Sequence, residues 1–253
     1  MANYNIYFSP TYGTEKVAIA LADGLQGDFK AINLCDEKDD FALMLNENNL
    51  CIIAVPSYGG RVPALAVERI KKIKANGAKA ILVCVYGNRV WDDTLSELQD
   101  IAESVGFVVV GGVAAVAEHS IFRQYATGRP DNDDCDELAC FAKQLQQKLD
   151  GNVFDKIVLP GSHGEYKVYN GSSFKPVANK ECVGCAICAD NCPVGAITHE
   201  NPDETDVQKC ISCMRCICVC PVGARQLDKN VVDAVAQKMA PAFEGRKNNY
   251  LFL

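Results

Sequence analysis

Asn5-Ile6-Tyr7-Phe8-Ser9-Pro10-Thr11-Tyr12-Gly13-Thr14 decides how the first half of the chain folds. Residues 5–8 are apolar and aromatic enough for a short strand, and a hydroxyl-rich turn leads straight into a helix from Thr14. Val17, Ala20, Leu21 and Leu25 recur there at helical spacing. A strand running directly into a helix is the first half of a βαβ unit. The alternation continues outward from it, with strands predicted at 30–34, 50–55, 80–85 and 107–113 and helices at 64–75, 93–105 and 136–149. Leu95, Leu98, Ile101, Ala102 and Val105 share one helical face; Leu138, Phe141, Ala142, Leu145 and Leu149 share another. Strands apolar on both faces and separated by helices predict an α/β domain over residues 1–150, a doubly wound five-stranded parallel sheet.

Ligands of such sheets sit beyond the carboxyl ends of the strands. The first of those loops places Ser9, Thr11 and Thr14 beside Tyr12 and Gly13 at a helix N-terminus. Free N–H groups and hydroxyls there suit a phosphate, and the absence of Lys and Arg suits a monoester better than a triphosphate. The same hydroxyls would serve equally as a plain helix cap. The loop after the third strand, Pro56-Ser57-Tyr58-Gly59-Gly60, and the loop after the fourth, Tyr86-Gly87-Asn88-Arg89-Val90-Trp91, each set an aromatic near glycine. Tyr58 and Trp91 could clamp a flat ring, or could simply pack their own loops. No Gly-x-Gly-x-x-Gly occurs, so a conventional dinucleotide site is not expected.

The last third carries a different signal. Nine of the 14 cysteines fall between Cys182 and Cys220, and they repeat with an offset of 28 residues. Cys182, Cys185, Cys188 and Cys192-Pro193 are matched by Cys210, Cys213, Cys216 and Cys220-Pro221, each copy continuing into Val-Gly-Ala. Three thiolates two residues apart can wrap one cubane, and the fourth, before proline, reaches the other. By that rule Cys182, Cys185, Cys188 and Cys220 hold one 4Fe-4S cluster, and Cys210, Cys213, Cys216 and Cys192 the second. A structural zinc site would not explain four cysteines per copy followed by proline. Cys218 stands outside the pattern and reads as a small packed residue, as do Cys35, Cys51, Cys84, Cys135 and Cys140.

The chain has 253 residues and a formal charge of -7. Acidic and basic residues balance after residue 150, so the net charge lies entirely before it. That charge disfavours nucleic acid and anionic membranes as partners. No stretch is long and apolar enough to span a bilayer and no secretory pattern opens the sequence, so a cytoplasmic protein is expected. Residues 151–177, rich in Gly, Ser and Asn, read as a surface connector, and 231–253 as a docking helix with an apolar tail, Tyr250-Leu251-Phe252-Leu253. His119 follows the fifth strand and is either a structural histidine or a group near the ligand; His163 and His199 lie in polar loops.

The three strand-end loops resemble the flavodoxin-like family. The resemblance implies FMN, its phosphate held by Ser9, Thr11, Tyr12, Gly13 and Thr14 and its ring flanked by Tyr58 and Trp91. Pro56, Ser57, Gly59, Gly87 and Asn88 would line its polar edge. Tyr12 departs from the family, which usually has glycine there. Residues 178–230 resemble the two-cluster bacterial-type ferredoxins, an α+β domain, and the whole chain is similar to the fused flavodoxin-ferredoxin (EFR-type) proteins of anaerobes. The resemblance implies an electron-transfer protein relaying low-potential electrons between two 4Fe-4S clusters, FMN and external redox partner proteins, possible as a homodimer. An FMN-dependent reductase of a quinone, nitro compound or disulfide is the alternative. Partner docking is expected on the acidic N-terminal half.

Overall fold

The computed structural model describes residues 2–36, 40–152 and 154–253. The N-terminal half runs β1 (Asn3–Tyr7), α1 (Gly13–Asp23), β2 (Phe29–Asn33), β3 (Leu50–Pro56), α2 (Ala64–Ile70), β4 (Lys79–Tyr86), α3 (Thr94–Ser104), β5 (Val108–Val116) and α4 (Asn132–Gly151). Strands β2-β1-β3-β4-β5 lie side by side and parallel. This is the flavodoxin-like order, with its switch point between β1 and β3. Sequence alternation places the two cores. Ile52, Val83 and Val113 face α1 and α4 through Val17, Leu21, Leu138 and Leu145. Ile53, Leu82 and Cys84 face α2 and α3 through Ile70, Leu95 and Leu98. Each such fully buried aliphatic side chain contributes about 1.5–3 kcal/mol.

Several boundaries differ from the sequence expectation, each for a local reason. Helix α2 ends at Ile70 because tight turns follow it and the Lys74 N–H then bonds to the Leu43 carbonyl. Helix α4 starts four residues earlier than expected because Asp131 and Asp134 form a reciprocal capping box. Strand β5 runs on to Val116, and a side chain at Gly111 would strike Leu145.

The C-terminal third contains β6 (Val177–Ala178), α5 (Ile187–Asp190), α6 (Arg215–Val219), β7 (Arg225–Gln226), α7 (Lys229–Met239) and β8 (Tyr250–Phe252). The cysteine repeat is also a repeat of backbone conformation. Gly184 and Ser212, Ala186 and Met214, and Gly195 and Gly223 all take positive φ at the same offset. Strands β6 and β7 pair antiparallel.

The sheet has six strands, not the five parallel ones expected. The apolar tail becomes β8 and pairs antiparallel with β5, Gly112 opposite Phe252 and Ala114 opposite Tyr250. The Asn249 side chain fixes this edge: its Oδ1 accepts from Val116 N–H at 2.8 Å, and its Nδ2 donates to Asp134 and Glu137. The buried Arg129–Asp134 pair and the Arg129 bond to the Lys247 carbonyl complete the anchor. Helix α7 packs through Val232, Val235, Ala236 and Met239 onto Phe122 and Phe243. No helix among the described residues is long and apolar enough to cross a membrane.

Candidate cofactor sites

The turn after β1 is held open by its own side chains. Ser9 is buried and its Oγ accepts the Glu15 N–H at 2.9 Å, while the Tyr7 hydroxyl donates to the Glu15 carboxylate at 2.7 Å. Tyr12, at φ 66, sits in the left-handed region that glycine favours. Among the described residues nothing accepts from the N–H groups of Thr11, Tyr12, Gly13 or Thr14. Those N–H groups with the Thr11 and Thr14 hydroxyls make a neutral donor set that suits a phosphate monoester.

Pro10, Thr11, Gly13 and Thr14 line one end of a cavity that also meets Pro56, Ser57, Tyr58 and Gly87. Part of its lining is shared with a larger cavity of about 480 Å³ bounded by Tyr58, Gly59, Tyr86, Gly87, His119, Phe122, Tyr169 and Phe174. Three strand-end loops therefore converge on one space. Trp91 and Asn88 are not among the residues around it. Trp91 packs between Tyr86 and Tyr250, at 5.2 and 5.3 Å between ring centres, and against Phe252. Asn88 spends its amide on the carbonyls of Phe243 and Gly245, at 2.7 and 2.8 Å.

Two residues around the space, Tyr169 and Ser212, carried little sequence signal, while a third, His119, had two readings open. Tyr169, from the connector, lies against Gly59 so closely that a side chain on Gly59 would strike its ring. The connector is more than a surface strap: Leu159 is buried, Ser162 and Lys167 N–H bond to Asp93, and His163 bonds to Asp100 at 2.7 Å. Ser212, from the cysteine repeat, donates to the Ser172 carbonyl at 3.1 Å. His119 lies over Gly87, and its Nδ1 accepts from the N–H groups of Ile121 and Phe122 at 3.1 Å each. Burial, aided by the Arg89 charge, pushes its pKa down to about 4, so the ring is neutral near pH 7.

The structure brings four of the repeat's cysteines to one cavity, while Cys135, Cys140 and Cys218, expected to be packed, are exposed. Among the described residues no three metal-binding side chains converge on one point, as a mononuclear site requires. Instead Cys192, Cys210, Cys213 and Cys216 line the wall of one small cavity with Pro176, Ile197, Ile211, Met214 and Arg215. Four sulfurs around an apolar space fit a polynuclear cluster. The Ala196 N–H donates to the Cys192 sulfur at 3.2 Å. In the sister copy burial would raise the Cys220 thiol, but the N–H groups of Arg225, Val222, Ala224 and Gly223 hold it low. Both fourth cysteines thus meet backbone N–H donors. Cys218 is exposed on α6.

The two sites share a wall. Tyr58 borders the strand-end cavity and also the groove lined by Cys210 and Ile211. Burial pushes its hydroxyl well above the usual tyrosine range, with Cys213, Cys35 and Cys210 as further neighbours acting the same way. Arg215 reaches from the repeat to the first loop, its guanidinium 5.9 Å from the centre of the Tyr12 ring.

Residues 175–234 match the 4Fe-4S dicluster domain. No curated protein matches the chain. Among solved structures, a flavodoxin from the domain Archaea aligns at 14% identity and a TM-score of 0.41, covering 59% of this chain and 99% of that one. The flavodoxin of Streptococcus pneumonia TIGR4 aligns at 20% identity and a TM-score of 0.41, covering 60% and 100%. The rubredoxin oxygen:oxidoreductase of the anaerobe Desulfovibrio gigas aligns at 14% identity and a TM-score of 0.44; 59% of this chain spans 36% of that protein. The chain thus joins a 4Fe-4S dicluster domain to a flavodoxin-like sheet.

Proposed function

We propose that the chain is an electron-transfer protein that relays low-potential electrons between two 4Fe-4S clusters, an FMN and external redox partners. The observation that carries this is Tyr58, one side chain bordering both the strand-end cavity and the groove of Cys210. A bound flavin would supply one- or two-electron exchange and each cluster single-electron exchange, so the pair would couple the two regimes.

The protein's own part is to bind, space and shield. Thr11, Tyr12, Gly13 and Thr14 would hold the phosphate through N–H and hydroxyl donors. Tyr58, Gly59, Gly87, His119 and Tyr169 would enclose the ring. Cys182, Cys185, Cys188 and Cys220 would hold the first cluster, and Cys210, Cys213, Cys216 and Cys192 the second. Tyr58 would keep water from between the flavin and the second cluster.

The test is anaerobic analysis of the purified protein for iron, sulfide and flavin, with spectra during stepwise reduction. About eight irons and one FMN per chain, all reducible and reoxidisable, is the expected result. Iron without flavin would remove the flavin from the relay.

The breadth of the cavity, with Phe122, Phe174, Met239 and Phe243 along one side, favours a second reading, an FMN-dependent reductase of a quinone, nitro compound or disulfide. His119 is a poor proton donor for it, being held neutral with Nδ1 accepting. Steady turnover of such a substrate by reduced protein would establish it.

A further inference from the structure

We propose that the face around Cys182, Cys185, Cys188 and Cys220 is the docking port for an external one-electron carrier protein, and that the Cys210, Cys213, Cys216 and Cys192 set exchanges electrons only within the chain. This rests on the cluster reading above and goes beyond it by assigning different roles to the two ligand sets.

The two ligand sets match in sequence and backbone but differ in what covers them. Around the second set, Cys213 and Ser212 are buried, Ile211 packs against the sheet core, and Pro193, which follows Cys192, is buried with its carbonyl accepting from Arg69 at 3.0 Å. The corresponding positions around the first set are open. Cys185 is exposed, Val183 is 67% exposed and Val222, two residues after Cys220, 44%, and Gly184 and Pro221 are exposed too. Ile187, where the second set has Arg215, adds a fourth exposed apolar side chain. Single exposed valines are ordinary, but these neighbour the sulfur ligands of one proposed cluster along the chain.

What covers the second set indicates what fits the first. The second set's face meets the sheet domain beside the strand-end cavity, so in the proposed relay this surface would be a contact between two electron carriers. The C-terminal segment does not cover the first set: α7 packs on Phe122 and Phe243, and β8 completes the sheet. The occupant is therefore an external carrier with an apolar contact face, rimmed by Lys or Arg to meet the exposed Glu181 and Asp190. On contact the carrier loses one electron and the cluster of the first set gains it; no atom or proton is exchanged. Docking on this face overrides the expectation that the acidic N-terminal half receives the partner, because distance to a redox centre limits transfer more than charge does.

The experiment is anaerobic stopped-flow reduction of the holoprotein, with a reduced two-cluster ferredoxin as the carrier probe and dithionite as the small reductant. Val183→Gln/Val222→Gln is expected to slow ferredoxin-driven reduction about tenfold or more, with dithionite-driven reduction and iron content unchanged; Val222→Ser, a milder change, should slow it less. An unchanged ferredoxin rate would overturn the port. So would slowing by Asp133→Lys/Asp136→Lys on α4 instead, or a dimer that Val183→Gln/Val222→Gln splits into monomers, which would make a second copy the occupant. Protein purified without iron and sulfide would overturn the cluster reading itself and the port with it.

Discussion

Arg69, on α2 of the sheet domain, donates from Nη2 to the carbonyl of Pro193, the residue after the fourth cysteine of the first motif, at 3.0 Å. Its Nη1 donates to the Leu34 carbonyl beyond β2, and its guanidinium lies 5.0 Å from the centre of the Phe41 ring. One buried cation thus ties the cysteine repeat to the sheet. Arg69→Leu would leave two carbonyls without their donor and is expected to cost about 2–4 kcal/mol. In denaturant, bleaching of the iron-sulfur absorption should separate from loss of sheet circular dichroism. A single transition at the original midpoint would show that Arg69 does not couple the two parts.

Gly87 has no room for a side chain: a Cβ there would come within 2.6 Å of His119 Cδ2. Gly87→Ala must displace His119, which lines the strand-end cavity. Flavin affinity, read by fluorescence quenching, is expected to fall about tenfold or more, with the far-ultraviolet spectrum unchanged. Equal affinity would place the flavin elsewhere.

His119 also sets a pH dependence. Its folded pKa lies near 4, below the ordinary 6.5, so between those values the unfolded chain binds a proton that the folded chain does not. Stability should therefore be fully present above about pH 6.5 and decline as pH falls toward 4, by on the order of 3 kcal/mol. His119→Asn keeps an acceptor for the Ile121 and Phe122 N–H groups but cannot titrate, and should flatten that part of the profile.

The sixth strand hangs on Asn249. Asn249→Ala removes the acceptor for Val116 N–H and a donor to Asp134 and Glu137 within a mostly buried network. A loss of about 2–3 kcal/mol is expected, along with higher proteolytic sensitivity of residues 246–253 and increased solvent quenching of Trp91, which Tyr250 and Phe252 cover. Unchanged Trp91 fluorescence would mean the tail stays docked without it.

Among the cysteines the contrast should be sharp. Cys213→Ala is expected to remove about half of the iron, because Cys213 lines the cavity shared with Cys192, Cys210 and Cys216. Cys218→Ala, at an exposed position outside the repeat, should leave iron content unchanged. Equal losses from both would refute the ligand assignment.

The sequence by itself determined whatever depends on neighbours along the chain. Strand and helix alternation gave the five parallel strands and both cores, because burial on a strand or helix face follows directly from residue spacing. The spacing of the cysteines gave the repeat, and the structure adds that its backbone repeats too, at Ala186 and Met214 among others. Periodicity predicts a helix over 64–75, longer than α2, because Ile73 and Ala75 are buried in phase although the backbone has already turned.

Tertiary structure alone decided which elements meet. Trp91 carried the pattern of a ring-clamping aromatic, yet the tail's Tyr250 and Phe252 draw it into their own cluster, while Tyr169, from a stretch read as a linker, lies beside the cavity. The two cysteine copies are nearly equivalent as sequence, and only the sheet packed against one of them makes Cys213 buried and Cys185 exposed. The reason is physical: periodicity records which face of an element is buried, whereas the partner covering that face comes from remote parts of the chain and leaves no local mark.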